Sequence, residues 1–97
     1  MPDYILLMHD DAPSAGSGDW GTYIAALQAS GNFQGGSAIG EGISARKSGT
    51  APPITRHLAG YIRIGADSLE HALALLPGNP VYEAVGTVEI RELPRTE

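Results

Sequence analysis

His9 is followed at once by Asp10 and Asp11. A carboxylate set beside an imidazole fixes the tautomer of the ring and favours its protonated form, which is what a general acid or base working near neutral pH needs. A second group falls at His57, Tyr61 and Arg63, and a third at Glu89 and Arg91. Both have the even spacing that returns side chains to one face of a strand. Arg63 or Arg91 in such company could hold the carboxylate of a small acid in a two-pronged grip. Ordinary structure explains each group as well. His9 could simply end a strand while the acids solvate a loop, His57 could sit at a rim beside Arg56, and Glu89 with Arg91 could be a surface ion pair. Neighbouring strand residues point apart, so Asp10 can turn back onto His9 only if the strand stops there. An acid–base role therefore requires His9 to lie off the helix-covered core and within hydrogen-bond reach of a carboxylate.

Other chemistries find little support. The chain has no cysteine, which removes disulfides, thiolate metal sites and thiol nucleophiles together. No His-x-His or His-Glu-x-x-His spacing supports a metal site, and no cofactor is called for. Gly35-Gly36 and Gly40-x-Gly42 match neither a phosphate loop nor a dinucleotide fingerprint, and no serine sits in a nucleophile elbow. Six Lys+Arg against eleven Asp+Glu give a net charge of -5, contrary to the basic footprint of a nucleic-acid binder. No apolar run is long enough to span a bilayer, and Met1-Pro2-Asp3 lacks the basic start of a signal peptide, so a cytoplasmic protein is expected.

The elements that must position these residues follow from periodicity. The chain of 97 residues is expected to form one domain. Tyr4 to His9 is a short apolar run, stopped by the turn-rich stretch Asp10 to Gly16, and reads as a strand covered on both faces. Trp20, Tyr23, Ile24 and Leu27 form one helical stripe over residues 20–30, with Asp19 as N-cap and Gly31 past the end. Phe33 to Lys47 is glycine-rich and reads as a weak edge strand, bulged near Gly40 and Gly42. His57 to Ala66 alternates, with Leu58, Gly60, Ile62 and Ile64 on one face and His57, Ala59, Tyr61 and Arg63 on the other. Asp67 to Glu70 reads as a capping box before a stripe of Leu69, Ala72, Leu73 and Leu76. Asn79-Pro80 opens a further helical turn, and Thr87 to Leu93 closes as a strand with Val88 and Ile90 inward.

This order, strand-helix-strand-strand-helix-strand, predicts an α+β, ferredoxin-like βαββαβ plait with antiparallel sheet order 4-1-3-2. Both helices must then cover one face. The other face stays apolar along strand one, which predicts a two-fold homodimer packing sheet against sheet around a cleft. His9, His57, Tyr61, Arg63, Glu89 and Arg91 would converge there.

Several segments resemble a known family when taken in order: Tyr4 to Asp11, Trp20-x-x-Tyr23, Gly35-Gly36, His57-Leu58-Ala59-Gly60-Tyr61, Ala66 to Ala72, Gly78-Asn79-Pro80 and Val88 to Arg91. Together they look like a YCII-related domain of the Asp-Gly-Pro-Phe type, over nearly the whole chain. The resemblance implies a dimeric α+β barrel with a cleft at the dimer and, in part of the family, a His-Asp acid–base pair. Here that pair would be His9 with Asp10 or Asp11. The name-giving loop is missing: Ser48 to Arg56 holds only Thr50-Ala51-Pro52-Pro53-Ile54-Thr55.

The sequence thus favours a cofactor-free enzyme of the lyase or isomerase kind. His9 would move a proton on a small anionic metabolite, with Asp10 or Asp11 orienting it and His57, Tyr61, Arg63, Glu89 and Arg91 lining the site. The second reading is a small-molecule-binding or regulatory interaction module without catalysis.

Overall fold

A computed structural model describes residues 1–13 and 18–95. The expected turn at Ser14 to Gly16 and the tail residues Thr96 and Glu97 lie outside the described residues. The elements run β1 (Asp3–His9), α1 (Trp20–Ala29), β2 (Phe33–Ala38), β3 (Leu58–Gly65), α2 (Leu69–Ala74), α3 (Pro80–Glu83) and β4 (Val88–Leu93). The strands form one antiparallel sheet in the order β2-β3-β1-β4, the expected order counted from the other edge and compatible with a ferredoxin-like plait. Among the described residues no helix is long and apolar enough to cross a membrane.

The alternation of β1 sorts the two faces. Tyr4, Leu6 and Met8 are buried with Ile62 and Ile64 of β3 against Tyr23 and Leu27 of α1 and Ala72 and Leu76 beyond. Ile5, Leu7 and His9 are only half-buried on the opposite face. Within the protomer β1 is therefore covered on one face rather than two. On β4, Val88 and Ile90 pack against the core cluster, as the alternation predicts.

Helix boundaries follow their caps. Asp19 accepts from the Gly21 amide and from the Thr22 hydroxyl, each at 2.9 Å, so α1 starts at Trp20. Trp20, expected on the core stripe, is 39% exposed at the outer end of the helix. In α2 the expected capping box from Asp67 to Glu70 is not formed, and the cap sits one residue later. Ser68, not Asp67, caps the helix by accepting from the His71 amide at 3.1 Å. At 100° per residue the buried arc then holds Ala72 and Leu76 with Leu75 beside them, and Leu69 and Leu73 turn out to solvent. Asn79 opens α3 by accepting from the amides of Val81 and Tyr82 at 3.0 and 3.2 Å. The turn after α3 puts Val85 at φ 67°, a region that β-branched residues avoid.

The edge strand is shorter than its glycine pattern suggests. β2 ends at Ala38, and its irregularity lies between Phe33 and Gly35 rather than near Gly40 and Gly42. Gly35 takes φ 124°, and a Cβ on Gly36 would stand 2.6 Å from the Tyr61 carbonyl oxygen. Ladder pairing pins these two glycines. Beyond Ala38 a long irregular arm, residues 39–57, returns to the sheet at Leu58.

Candidate functional site

Register builds the open face row by row. Tyr61, Leu7 and Glu89 stand side by side across β3, β1 and β4, and the next row is Arg63, Ile5 and Arg91. Strands lie about 4.8 Å apart, so the two arginines flank Ile5 from roughly 10 Å apart. At the end of β1 the pairing slips between Met8 and His9. The His9 amide donates to the Thr87 carbonyl at 2.9 Å, and the Asp10 amide to the His57 carbonyl at 2.7 Å. The second of these bonds carries His57 to His9, with ring centroids 4.7 Å apart and planes at 58°.

His9 lies on the face away from the core, and its Nε2 stands 2.8 Å from Glu89 Oε2. The carboxylate that reaches the imidazole is thus from β4, not from the two acids that follow His9 in sequence. His9 pairs with Thr87 through the backbone, so Glu89 is its diagonal cross-strand neighbour, within reach of long side chains. The His9 hydrogen bond holds the Glu89 carboxyl below its ordinary range, helped by the charges of Arg91 and His57. An ionised carboxylate only accepts, so Nε2 is the donor of this bond, and whenever the ring is neutral its lone pair is on Nδ1. The arrangement is a histidine oriented by an acid, able to take up and return a proton.

The neighbouring acids do other work. Asp11 accepts from the amide of Thr87 at 2.8 Å through Oδ1 and from its hydroxyl at 2.6 Å through Oδ2. Those two bonds hold its carboxyl below the usual range and clamp the segment after β1 to the start of β4, one residue before Val88. Asp10 is exposed and contributes its backbone amide to the placement of His57. The expectation that Asp10 or Asp11 turns back to orient His9 is therefore corrected, with Glu89 in that place. Among the described residues no group of three or more His, Asp or Glu is placed to hold a metal ion.

One further feature escaped the sequence. A pocket of about 450 Å³ lies on the helix-covered side of the sheet, not beside His9. Trp20, Ile24, Phe33 and Val81 form its walls, and Gly36, Ala38 and Gly60 leave its floor low. No ionised side chain is among its described lining residues. The signal for it was available: three of the small residues of β2 and β3 fall on positions where a core-facing strand ordinarily carries bulky ones.

No protein-family model matches the chain, and a search of curated proteins finds no match. The likeness to the YCII-related pattern therefore rests on the residues quoted for it.

Proposed function

We propose that the protein is a cofactor-free acid–base enzyme of the lyase or isomerase kind, acting on a small anionic substrate at the open face of the sheet in a homodimer. The observation that carries this reading is the 2.8 Å bond between His9 Nε2 and Glu89 Oε2 on the face away from the core. In this reading Nδ1 of His9 removes a proton from the substrate and returns it to another atom, while Glu89 holds the tautomer and balances the imidazolium that forms. Arg63 and Arg91, on either side of Ile5, supply charge for the substrate carboxylate. His57, packed on His9, and Tyr61, in the row of Glu89, complete the polar rim.

A second copy laid on the open face would enclose the site, because Ile5 and Leu7 are the half-exposed apolar centre around which the charged groups are arranged. The YCII-related pattern supports the same assembly, a dimeric α+β barrel with the histidine at its cleft. There the acid would come from Glu89 rather than from the residue after His9.

The test is proton exchange. Small keto and hydroxy acids incubated with the protein in deuterated buffer should take up deuterium at the carbon beside the carboxylate or carbonyl. His9→Asn should lower that rate by about 10²–10⁴-fold. Exchange at an unchanged rate in His9→Asn would contradict the assignment.

A further inference from the structure

An acid–base site that trades substrate hydrogen with solvent needs a path between its base and water. His9 is poorly placed to provide one. Its side chain is 17% exposed, and its Nε2 is engaged by Glu89. In the proposed mechanism Nδ1 faces the substrate, so neither nitrogen opens on bulk water while the site is filled. The path therefore runs through a neighbouring side chain. Glu89, Asp11 and His57 stand around the ring. The two carboxylates are weak exits, because an ordinary imidazole holds a proton about a hundredfold more tightly than an ordinary glutamate. The His9 bond keeps the Glu89 carboxyl below even that range, and two bonds from Thr87 do the same for Asp11. Transfer from the His9 imidazolium to either acid costs more than that factor, whereas transfer to a second imidazole is transfer between like groups.

His57 has the opposite placement. It is exposed, and among the described residues no side-chain hydrogen bond or ion pair engages its ring. Its ring centroid lies 4.7 Å from that of His9. At that separation the ring edges are in contact range, and a swing of the exposed ring or one bridging water joins nitrogen to nitrogen. The register shows what brings the two together. β1 pairs with β3 in regular steps as far as Met8 with Gly60, and one more step would set His9 opposite Ala59. The pairing instead slips, and His9 stands opposite Leu58. One additional residue of β3 is thus taken up against β1, which draws His57 about 3.3 Å nearer along the strand than an unbroken ladder would leave it. Re-aiming a side chain is what such irregularities do beside active sites. The Asp10 amide, donating to the His57 carbonyl at 2.7 Å, fixes the new position.

We propose that His57 is the proton port of the His9 site, a positioning residue that passes protons between His9 and water without itself touching the substrate. The proposal rests on the acid–base reading above and adds the route by which that site exchanges with solvent. The electron pair of the broken C–H bond stays on the substrate, and the proton goes to Nδ1 of His9. From there it passes to an unprotonated nitrogen of His57, directly or through one water. His57 gives a proton from its other nitrogen to water or a buffer base, returns to the neutral form, and resets by turning its exposed ring. The Glu89 bond to Nε2 is untouched throughout.

Deuterium entry into pyruvate and other small keto and hydroxy acids is followed at low buffer concentration in wild type, His57→Phe and His9→Asn. Phenylalanine keeps a ring against His9 and removes both nitrogens. The expected rate in His57→Phe is at least about tenfold below wild type, with His9→Asn lower still. Free imidazole in the buffer should restore most of the His57→Phe loss, and across a series of buffers the restored rate should follow their proton affinity. Because phenylalanine fills the space, the rescue is not cavity filling, and a merely structural role for His57 gives no dependence on buffer basicity. His57→Gln, at the same exposed position, should show the same loss and the same rescue. A His57→Phe rate equal to wild type, the result expected if Glu89 is the exit, overturns the port and leaves His9 standing as the base. A loss that no buffer restores in either variant does the same. An unchanged rate in His9→Asn, or a wild-type protein that exchanges none of the acids, overturns the acid–base reading and the port with it.

Discussion

At the scale of single residues, the outcome turns on which acid reaches His9. Sequence proximity favours Asp10 and Asp11, yet the bond comes from Glu89, eighty positions away. Each of these side chains was visible as a candidate. Their pairing was not, because it depends on the exact β1–β4 register, in which Leu7 faces Glu89 and His9 lies one step further along the diagonal. The role of Asp11 was hidden for the same reason: its partner, Thr87, is near only once β4 is in place. The His9 bond carries a pH signature. It holds the Glu89 carboxyl below the ordinary glutamate value, so its contribution to stability is present above the unfolded-state value and is lost as pH falls through the lower folded-state value. Thermal melts of wild type and Glu89→Gln should therefore differ most near neutral pH and converge on acidification below roughly pH 4.3. A gap between the two that stays constant down to pH 2 would show that the pair is not linked to proton binding.

At the scale of elements, periodicity and caps located every helix and strand that the structure contains, and errors arose where one residue sets a phase or an end. Asp67 and Ser68 are both good caps by type, and the leucines of α2 fit two overlapping stripes through Ala72 and Leu76, of which the one holding Leu69 and Leu73 is the exposed side. With Ser68 as the actual cap, Ser68→Ala should lower stability by about 1 kcal/mol and Asp67→Ala by clearly less, measured by urea unfolding. The opposite ranking would restore the capping box expected from the sequence. β2 was read as too long because the residues beyond Ala38 run past the start of β3 at Leu58, and nothing in their types marks the last ladder bond. Val85 could not be foreseen at all: nothing local announces a valine at positive φ. Replacing it with glycine relieves that strain, and Val85→Gly should raise the unfolding free energy by about 1 kcal/mol, visible as a higher urea midpoint. A lower midpoint would mean that the turn gains more from the side chain than it loses in backbone energy.

At the scale of the whole molecule, the sheet has one finished face and one unfinished face. The finished face carries the core and both main helices. The unfinished face carries Ile5 and Leu7 between rows of charged and aromatic side chains, with the His9–Glu89 pair at its end. The sidedness of the strands could be read from alternation, since reversing it would bury the arginines and expose Ile62 and Ile64, and the sheet order from the succession of elements with right-handed crossovers. The hollow beneath Trp20 was signalled only by small residues on two strands, and its walls depend on a helix placement that alternation does not give. A site at His9 needs that unfinished face to be covered, and the covering body proposed for it is a second copy of the chain. Sedimentation equilibrium at micromolar concentration tests this most directly: the account requires a species of twice the 10.1 kDa chain mass, and a stable 10.1 kDa particle across that range would contradict it.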